Sequence, residues 1–176
     1  MSGFVTQSNM HSIFIKRHIL VVLISLLLFA LISIGLIYPL QPGGMVLKDW
    51  QELTNNGWEP VSLPHIDYLQ SNFEHITLRT TFPGSDRDTL VLPRISGNAI
   101  KVYLNQRLVY QKGDFNHPTA NLWNNQLMIQ LTEPLRADNN LLELEINSSV
   151  YAIGFGAVPY ITDFADAARR MLLLDW

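Results

Sequence analysis

Between Lys112 and Asn125 the chain reads KGDFNHPTANLWNN, the stretch richest in groups able to grip a small polar molecule. Asp114, Asn116, His117, Asn121 and Asn124 supply hydrogen-bonding groups, and Phe115 and Trp123 supply flat apolar faces. A sugar needs both kinds, because its C–H face stacks on an aromatic ring while its hydroxyls require paired donors and acceptors. Loops at the end of a β-scaffold commonly carry binding residues. The same loop also reads as a structural crossover, with Phe115 and Trp123 plugging the fold and the Asn side chains making turns. At this level both readings stay open.

Other chemistries find less support. Trp50, Trp58 and His65 form a second aromatic group, read as core packing with a hydrogen-bonded histidine. His65, His75 and His117 lie far apart without a His-x-x-x-His pair, so no transition-metal site is expected. Asp86-Arg87-Asp88 and Asp114 offer oxygens to a Ca²⁺ ion but no loop built for one, and no metal or other cofactor is expected. No serine sits in a Gly-x-Ser-x-Gly setting, so no catalytic residue is assigned. Glu143 and Glu145 alternate with apolar residues and so share a strand face. Neighbours two apart could meet the roughly 5–9 Å of a glycosidase pair, yet alternating acids are the ordinary way to solvate a sheet. Asn147-Ser148-Ser149 matches an N-glycosylation acceptor, relevant only in a eukaryotic secretory pathway. Gly154 and Gly156 around Phe155 follow no phosphate-loop pattern and read as a bulge or close packing.

The elements that must position these residues are mostly short strands. Ile76, Leu78, Thr80 and Phe82 share one face against His75, Thr77, Arg79 and Thr81. The same alternation runs through Ile100, Val102 and Leu104, through Leu127, Ile129 and Leu131, and through Leu142, Leu144 and Ile146. Period two with one polar face marks half-buried antiparallel strands. Pro83-Gly84-Ser85-Asp86, Ser96-Gly97-Asn98 and Ala137-Asp138-Asn139-Asn140 punctuate them, and Asn105-Gln106 predicts a tight hairpin. This spacing indicates a sandwich or a barrel.

Two segments depart from the pattern. Ile19 to Tyr38, ILVVLISLLLFALISIGLIY, has twenty residues and no charge, long enough at about 1.5 Å per residue to span a bilayer core of about 30 Å. Lys16, Arg17 and His18 precede it and place residues 1–18 in the cytoplasm as a tail. Residues 39–49, with Pro39 and Pro42-Gly43-Gly44, read as a linker. An uncleaved anchor fits the length; a cleaved signal peptide is the alternative, although no Ala-x-Ala follows Tyr38. At the other end, residues 161–176 read as a helix from Asp163 with Thr162 as N-cap, and Phe164, Ala168, Met171 and Leu172 fall near one stripe. No cap or polar tail follows Leu172-Leu173-Leu174-Asp175-Trp176, so the helix is expected to run on into a longer protein or to meet a partner.

The chain has 176 residues, and the portion beyond the apolar segment suits one domain with one core. Ten Lys and Arg against fifteen Asp and Glu leave that part at −5, which argues against nucleic acid as a partner. The absence of cysteine excludes disulfides, thiol catalysis and thiolate metal sites, and leans towards a bacterial source for an exported domain.

Three blocks carry a family resemblance. Trp58-Glu59-Pro60-Val61-Ser62-Leu63-Pro64-His65 resembles the opening of the galactose-binding-like jelly-roll domain of β-galactosidase and β-glucuronidase type glycosidases. LPRISGNAIKVYLNQRLVY, Leu92 to Tyr110, resembles that domain's central hairpin, with Asn105-Gln106 where the family has Asn-Gly. LRADNNLLELEIN, Leu135 to Asn147, resembles its final strand, and the likeness runs from about Trp50 to Tyr160. It implies an all-β jelly-roll sandwich over residues 50–160, and a module that is not itself catalytic. Similar jelly rolls serve as exported sensor domains of bacterial diguanylate cyclases, histidine kinases and seven-transmembrane receptors with diverse intracellular signalling modules. The expected function is therefore the periplasmic input region of a membrane-anchored bacterial signalling protein in the inner membrane, taking a small ligand, a glycan or a partner protein. The alternatives are an anchored carbohydrate-binding or assembly subunit of the cell envelope and, more remotely, a small glycan hydrolase.

Overall fold

The computed structural model describes residues 4–37, 43–117, 120–123, 125–131, 135, 138–149 and 151–174. They divide into two compact units, Met1–Gln41 and Pro42–Trp176.

The first unit holds α1, Phe4–Ile37. Between Ile19 and Ile32 its large apolar side chains are exposed on every side, so no stripe is set aside for a protein core. The helix is long and apolar enough to cross a membrane. Its 34 residues begin well before the apolar run, in the stretch read as a tail. The polar residues from Thr6 to His11 continue the helix rather than break it, since no Pro or Gly intervenes.

The second unit begins with strands β1 (Met45–Val46), β2 (Trp50–Thr54), β3 (Gly57–Val61) and β4 (His65–Tyr68). It continues through β5 (Glu74–Phe82), β6 (Thr89–Ser96), β7 (Ala99–Leu104) and β8 (Arg107–Lys112). β9 (Asn125–Gln130), β10 (Asn140–Ser148), β11 (Ala152–Phe155) and β12 (Tyr160–Thr162) follow, and α2 (Phe164–Leu174) comes last. One sheet runs β3-β2-β5-β10-β7-β8. In the other, β6 is central: β9 lies along one side, and β12 and β11 lie in succession along the other, with β1 beyond β12 and β4 beyond β11. All pairs are antiparallel, and from β4 to β7 and again from β9 to β11 each strand lies in the sheet opposite its predecessor. The fold is a β-sandwich with jelly-roll alternation.

The core lies between the sheets. The inward residues expected from period two are buried: Leu78, Thr80 and Phe82; Ile100, Val102 and Leu104; Leu127, Ile129 and Leu131; Leu142, Leu144 and Ile146. β6 breaks the alternation, because Leu90, Val91 and Leu92 are all fully buried. Leu90 and Leu92 face the main core, while Val91 joins Tyr160, Ala167, Val46 and Met128 in a small second core beneath α2. A strand covered on both faces shows a continuous apolar run. At the hairpin, Asn105 and Gln106 both adopt positive φ, 51° and 71°, which gives the tight two-residue turn that the right-handed twist of the strands favours.

Two boundaries differ from the sequence expectation. Met45 and Val46 pair with Ile161 and Tyr160, and Leu47 is buried and donates its N–H to the Pro159 carbonyl at 3.0 Å. Part of the expected linker is thus an edge strand, because its three apolar residues have a sheet edge to cover. In α2 the Asp163 carbonyl accepts the first intrahelical bond, from Ala167 at 3.0 Å, so Asp163 occupies the cap position. Thr162 belongs to β12, and its hydroxyl donates to Asp166 Oδ2 at 3.1 Å. The helix buries Ala167 and Arg170, whereas Phe164 and Leu172, on the expected apolar stripe, are exposed.

Candidate ligand-binding groove

The turn between β6 and β7 is built on Gly97 and Asn98. A Cβ at Gly97 would lie 2.7 Å from the Ile146 methyl, so only glycine lets the turn close on β10. Asn98 is 3% exposed, and its backbone N–H and both polar atoms of its side chain are hydrogen-bonded. Its backbone N–H donates to the Asn147 carbonyl at 2.8 Å. Its side-chain amide donates to the Ala120 carbonyl. Its Oδ1 accepts the Ser149 N–H at 2.7 Å and the Ser149 hydroxyl at 3.2 Å. One buried side chain thus ties the segment 120–123 and the start of the β10–β11 loop to the same turn.

Between those segments lies a groove of about 530 Å³ lined by Tyr68, Gly97, Asn98, Ala120, Asn121, Trp123 and Tyr151. Its three rings are open to solvent: Tyr68 at 76%, Trp123 at 51% and Tyr151 at 78%. Leu122 is the buried peg between the exposed Asn121 and Trp123, and its N–H donates to the Gly97 carbonyl at 3.0 Å. Asn121 Oδ1 accepts the Trp123 N–H at 2.8 Å, an Asx turn that holds the indole at the rim. Asn125 closes the segment, donating from its side chain to the Asn121 carbonyl at 3.2 Å and from its backbone to the Leu122 carbonyl at 3.0 Å. Tyr68 and Tyr151 meet through strand register: Ala152 pairs with Tyr68, and the Leu69 N–H donates to the Tyr151 carbonyl at 3.0 Å. Tyr151 has φ 54°, a left-handed conformation that costs a non-glycine residue about 1 kcal/mol or more.

The residues singled out in the sequence separate into two groups. Asn121 and Trp123 line the groove, and Asn124 lies outside the described residues. Asp114, Phe115, Asn116 and His117 are not in its lining. Asp114 Oδ1 accepts the Asn116 N–H at 2.8 Å, and the backbone N–H groups of Asn116 and His117 hold the Asp114 carboxyl below its usual range. His117 Nδ1 lies 3.6 Å from Asp114 Oδ2 on the open surface. Phe115 packs on the outward face of the β10 sheet, where the Lys101 ammonium sits 4.3 Å from its ring centre and His75 meets it edge-on at 6.5 Å. Its carbonyl accepts from Asn147 Nδ2 at 3.3 Å. The first half of the loop lays Phe115 on the outward sheet face, and the second half forms a wall of the groove.

The second aromatic group also divides. Trp50 is a core residue whose Nε1–H donates to the Leu47 carbonyl at 3.1 Å. Trp58 lies on the outward face with the Arg79 guanidinium 3.9 Å over its ring. His65 is exposed on β4, with Nε2 2.9 Å from Asp67 Oδ2. The Asn147 side chain is buried and bonds to His75 Nδ1 at 2.5 Å, so it is not presented as a glycan acceptor. Glu143 and Glu145 point to the outward sheet face; Glu145 lies 3.7 Å from Lys101 Nζ and accepts from the Tyr103 hydroxyl at 3.4 Å, and neither acid lines the groove. Among the described residues no three His, Asp or Glu side chains converge as metal ligands would.

The sequence did not place Tyr68, Asn98 and Tyr151 in this groove. Ser96-Gly97-Asn98 reads only as a turn, and the two tyrosines come together solely through the pairing of β4 with β11.

No family model matches the chain, and no curated protein matches it. Among solved structures it is similar to the β-glucuronidase of Ruminococcus gnavus in complex with uronic isofagomine, at 9% identity and a TM-score of 0.46, over 69% of this chain and 29% of that one. The chain thus spans under a third of that enzyme's length, and a likeness of this degree carries no functional argument.

Proposed function

We propose that the chain is a membrane-anchored binding module, held by α1 and displaying its sandwich on the non-cytoplasmic side of a bacterial inner membrane, with a saccharide as the ligand of the groove. The observation that carries this reading is the groove itself: three exposed rings, Tyr68, Trp123 and Tyr151, around uncommitted hydrogen-bonding groups. Surface aromatics left in water are costly unless something covers them, and a sugar ring covers both the ring face and the polar tips. Lys16 and Arg17 before the apolar run, with no acid ahead of it, supports the orientation. The test is a glycan array probed with the full chain in nanodiscs. Binding to at least one glycan that is lost in Trp123→Ala supports the reading. No glycan bound, or binding indifferent to Trp123→Ala, refutes it.

A second reading, the input domain of a signalling protein, draws on a separate observation. β1, which leads in from the anchor side of the chain, pairs directly with β12, which leads into α2. A shift of one strand would be felt by the other, and a switch requires only that ligand bind one of two such arrangements better. Hydrogen exchange in α2 measured with and without a bound glycan tests it. Changed protection over residues 164–172 supports the reading, and unchanged protection counts against it.

A further inference from the structure

We infer that the groove selects an uncharged saccharide and discriminates against uronates and other anionic sugars. This rests on the saccharide reading of the same groove and goes one step further, to the ligand's charge.

Among the described residues the lining offers a ligand no charge. Tyr68, Gly97, Asn98, Ala120, Asn121, Trp123 and Tyr151 include no Lys, Arg, His, Asp or Glu. Of the residues that directly flank these positions in sequence, only Asp67 carries a charge. Of the charged or titratable groups within three positions of the lining, Asp67 lies 2.9 Å from His65, Lys101 3.7 Å from Glu145 and His117 3.6 Å from Asp114, and the exposed Arg94, like these, is not in the lining. Asn98 is fully consumed in holding the walls together. What remains for a ligand is neutral. The Tyr68 and Tyr151 hydroxyls, the Trp123 Nε1–H and the Asn121 side-chain NH₂ have no hydrogen-bond partner among the described residues.

Such a set suits a pyranose. The rings take its apolar face; the phenols donate or accept, and the indole and amide donate. A carboxylate or sulfate brought against the same rings would shed water and gain no cation in return, a penalty of more than tenfold in affinity. Neutral recognition also has a signature in salt, because an interaction without opposed charges is not screened.

The experiment uses the full chain in zwitterionic nanodiscs and titrates matched tetrasaccharides, neutral glucose and galactose oligomers against glucuronate and galacturonate oligomers. The expected result is binding of a neutral member with a Kd that does not move between low and high salt, and at least about tenfold weaker binding of its uronate counterpart. In Ala120→Lys, which places a cation at the rim, the uronate gains on the neutral sugar. Uronate binding equal to or tighter than neutral binding in the wild-type chain, or affinity that falls steeply with salt, overturns the inference and leaves the saccharide reading standing. Failure of every saccharide, neutral and anionic, overturns both.

Discussion

The Oδ1 of Asn98 accepts the Ser149 backbone N–H at 2.7 Å while the same side chain donates to the Ala120 carbonyl, so one buried amide joins the two walls of the groove. Asn98→Ala removes the part-buried hydrogen bonds to the Ser149 N–H and the Ala120 carbonyl, which is expected to cost about 1–3 kcal/mol. Asn98→Asp retains the acceptor for Ser149 but turns an oxygen towards the Ala120 carbonyl, so the segment 120–123 should loosen while the Ser149 contact persists. Urea denaturation gives the first value, and hydrogen exchange at Leu122 and Ser149 separates the two variants: both amides lose protection in Asn98→Ala and only Leu122 does in Asn98→Asp.

Tyr151 sets stability against binding. Its φ of 54° suits glycine better than tyrosine, and its ring is exposed, so little packing is lost on removing it. Tyr151→Gly is expected to leave stability unchanged or raise it by up to about 1 kcal/mol. Saccharide affinity should fall about tenfold, the loss of one stacking face. Thermal melts and titrations on the same sample check the two signs together. A destabilised variant with intact affinity would mean that the ring is structural.

Acid should release α2 before the rest of the sandwich. Arg170, donating from Nε at 2.9 Å, and the Thr162 hydroxyl hold the Asp166 carboxyl below its usual range. Asp88 is lowered by the Thr89 hydroxyl and, to a lesser extent, by Gln130 and the backbone N–H of Phe164. A carboxylate with a depressed folded pKa contributes stability that is full above its unfolded value and is lost as pH falls through the folded one. The docking of α2 should therefore hold from neutral pH down to the ordinary carboxylate range and weaken as the pH falls below it. Asp166→Asn should start weaker at neutral pH and show a shallower acid decline. Exchange protection of the Ala167 amide as a function of pH, corrected for the intrinsic rate, reads this directly.

The cysteine-free chain makes its orientation easy to measure. Asn55→Cys sits in the exposed turn between β2 and β3 and should leave the fold intact. A membrane-impermeant maleimide should label it in bacterial spheroplasts without lysis. Labelling only after lysis would reverse the orientation proposed for the sandwich.

How much of this could be read in the sequence depends on where the information lies. Strands with one wet face declared themselves, because Leu142, Leu144 and Ile146 alternate with acids. β6 did not: α2 covers Val91, so period two is erased by burial on both sides. Asn121 and Trp123 come to the groove through a local Asx turn, whereas Phe115 is carried away from it by packing against Lys101 and His75 on distant strands. Tyr68 and Tyr151 are joined only by the register of β4 on β11, and register is a property of pairing that no local pattern encodes.

The central claim, that a saccharide occupies the groove, is tested most directly by side-chain NMR of the full chain in nanodiscs, following indole and amide resonances as the bound glycan is added. With a saccharide in the groove, the Trp123 indole and the Asn121 side-chain amide are predicted to shift in fast or intermediate exchange, while the buried Trp50 and the outward-facing Trp58 indoles stay in place. Shifts centred on Trp58, with Trp123 unmoved, would place the ligand on the outward sheet face and contradict the groove as the site.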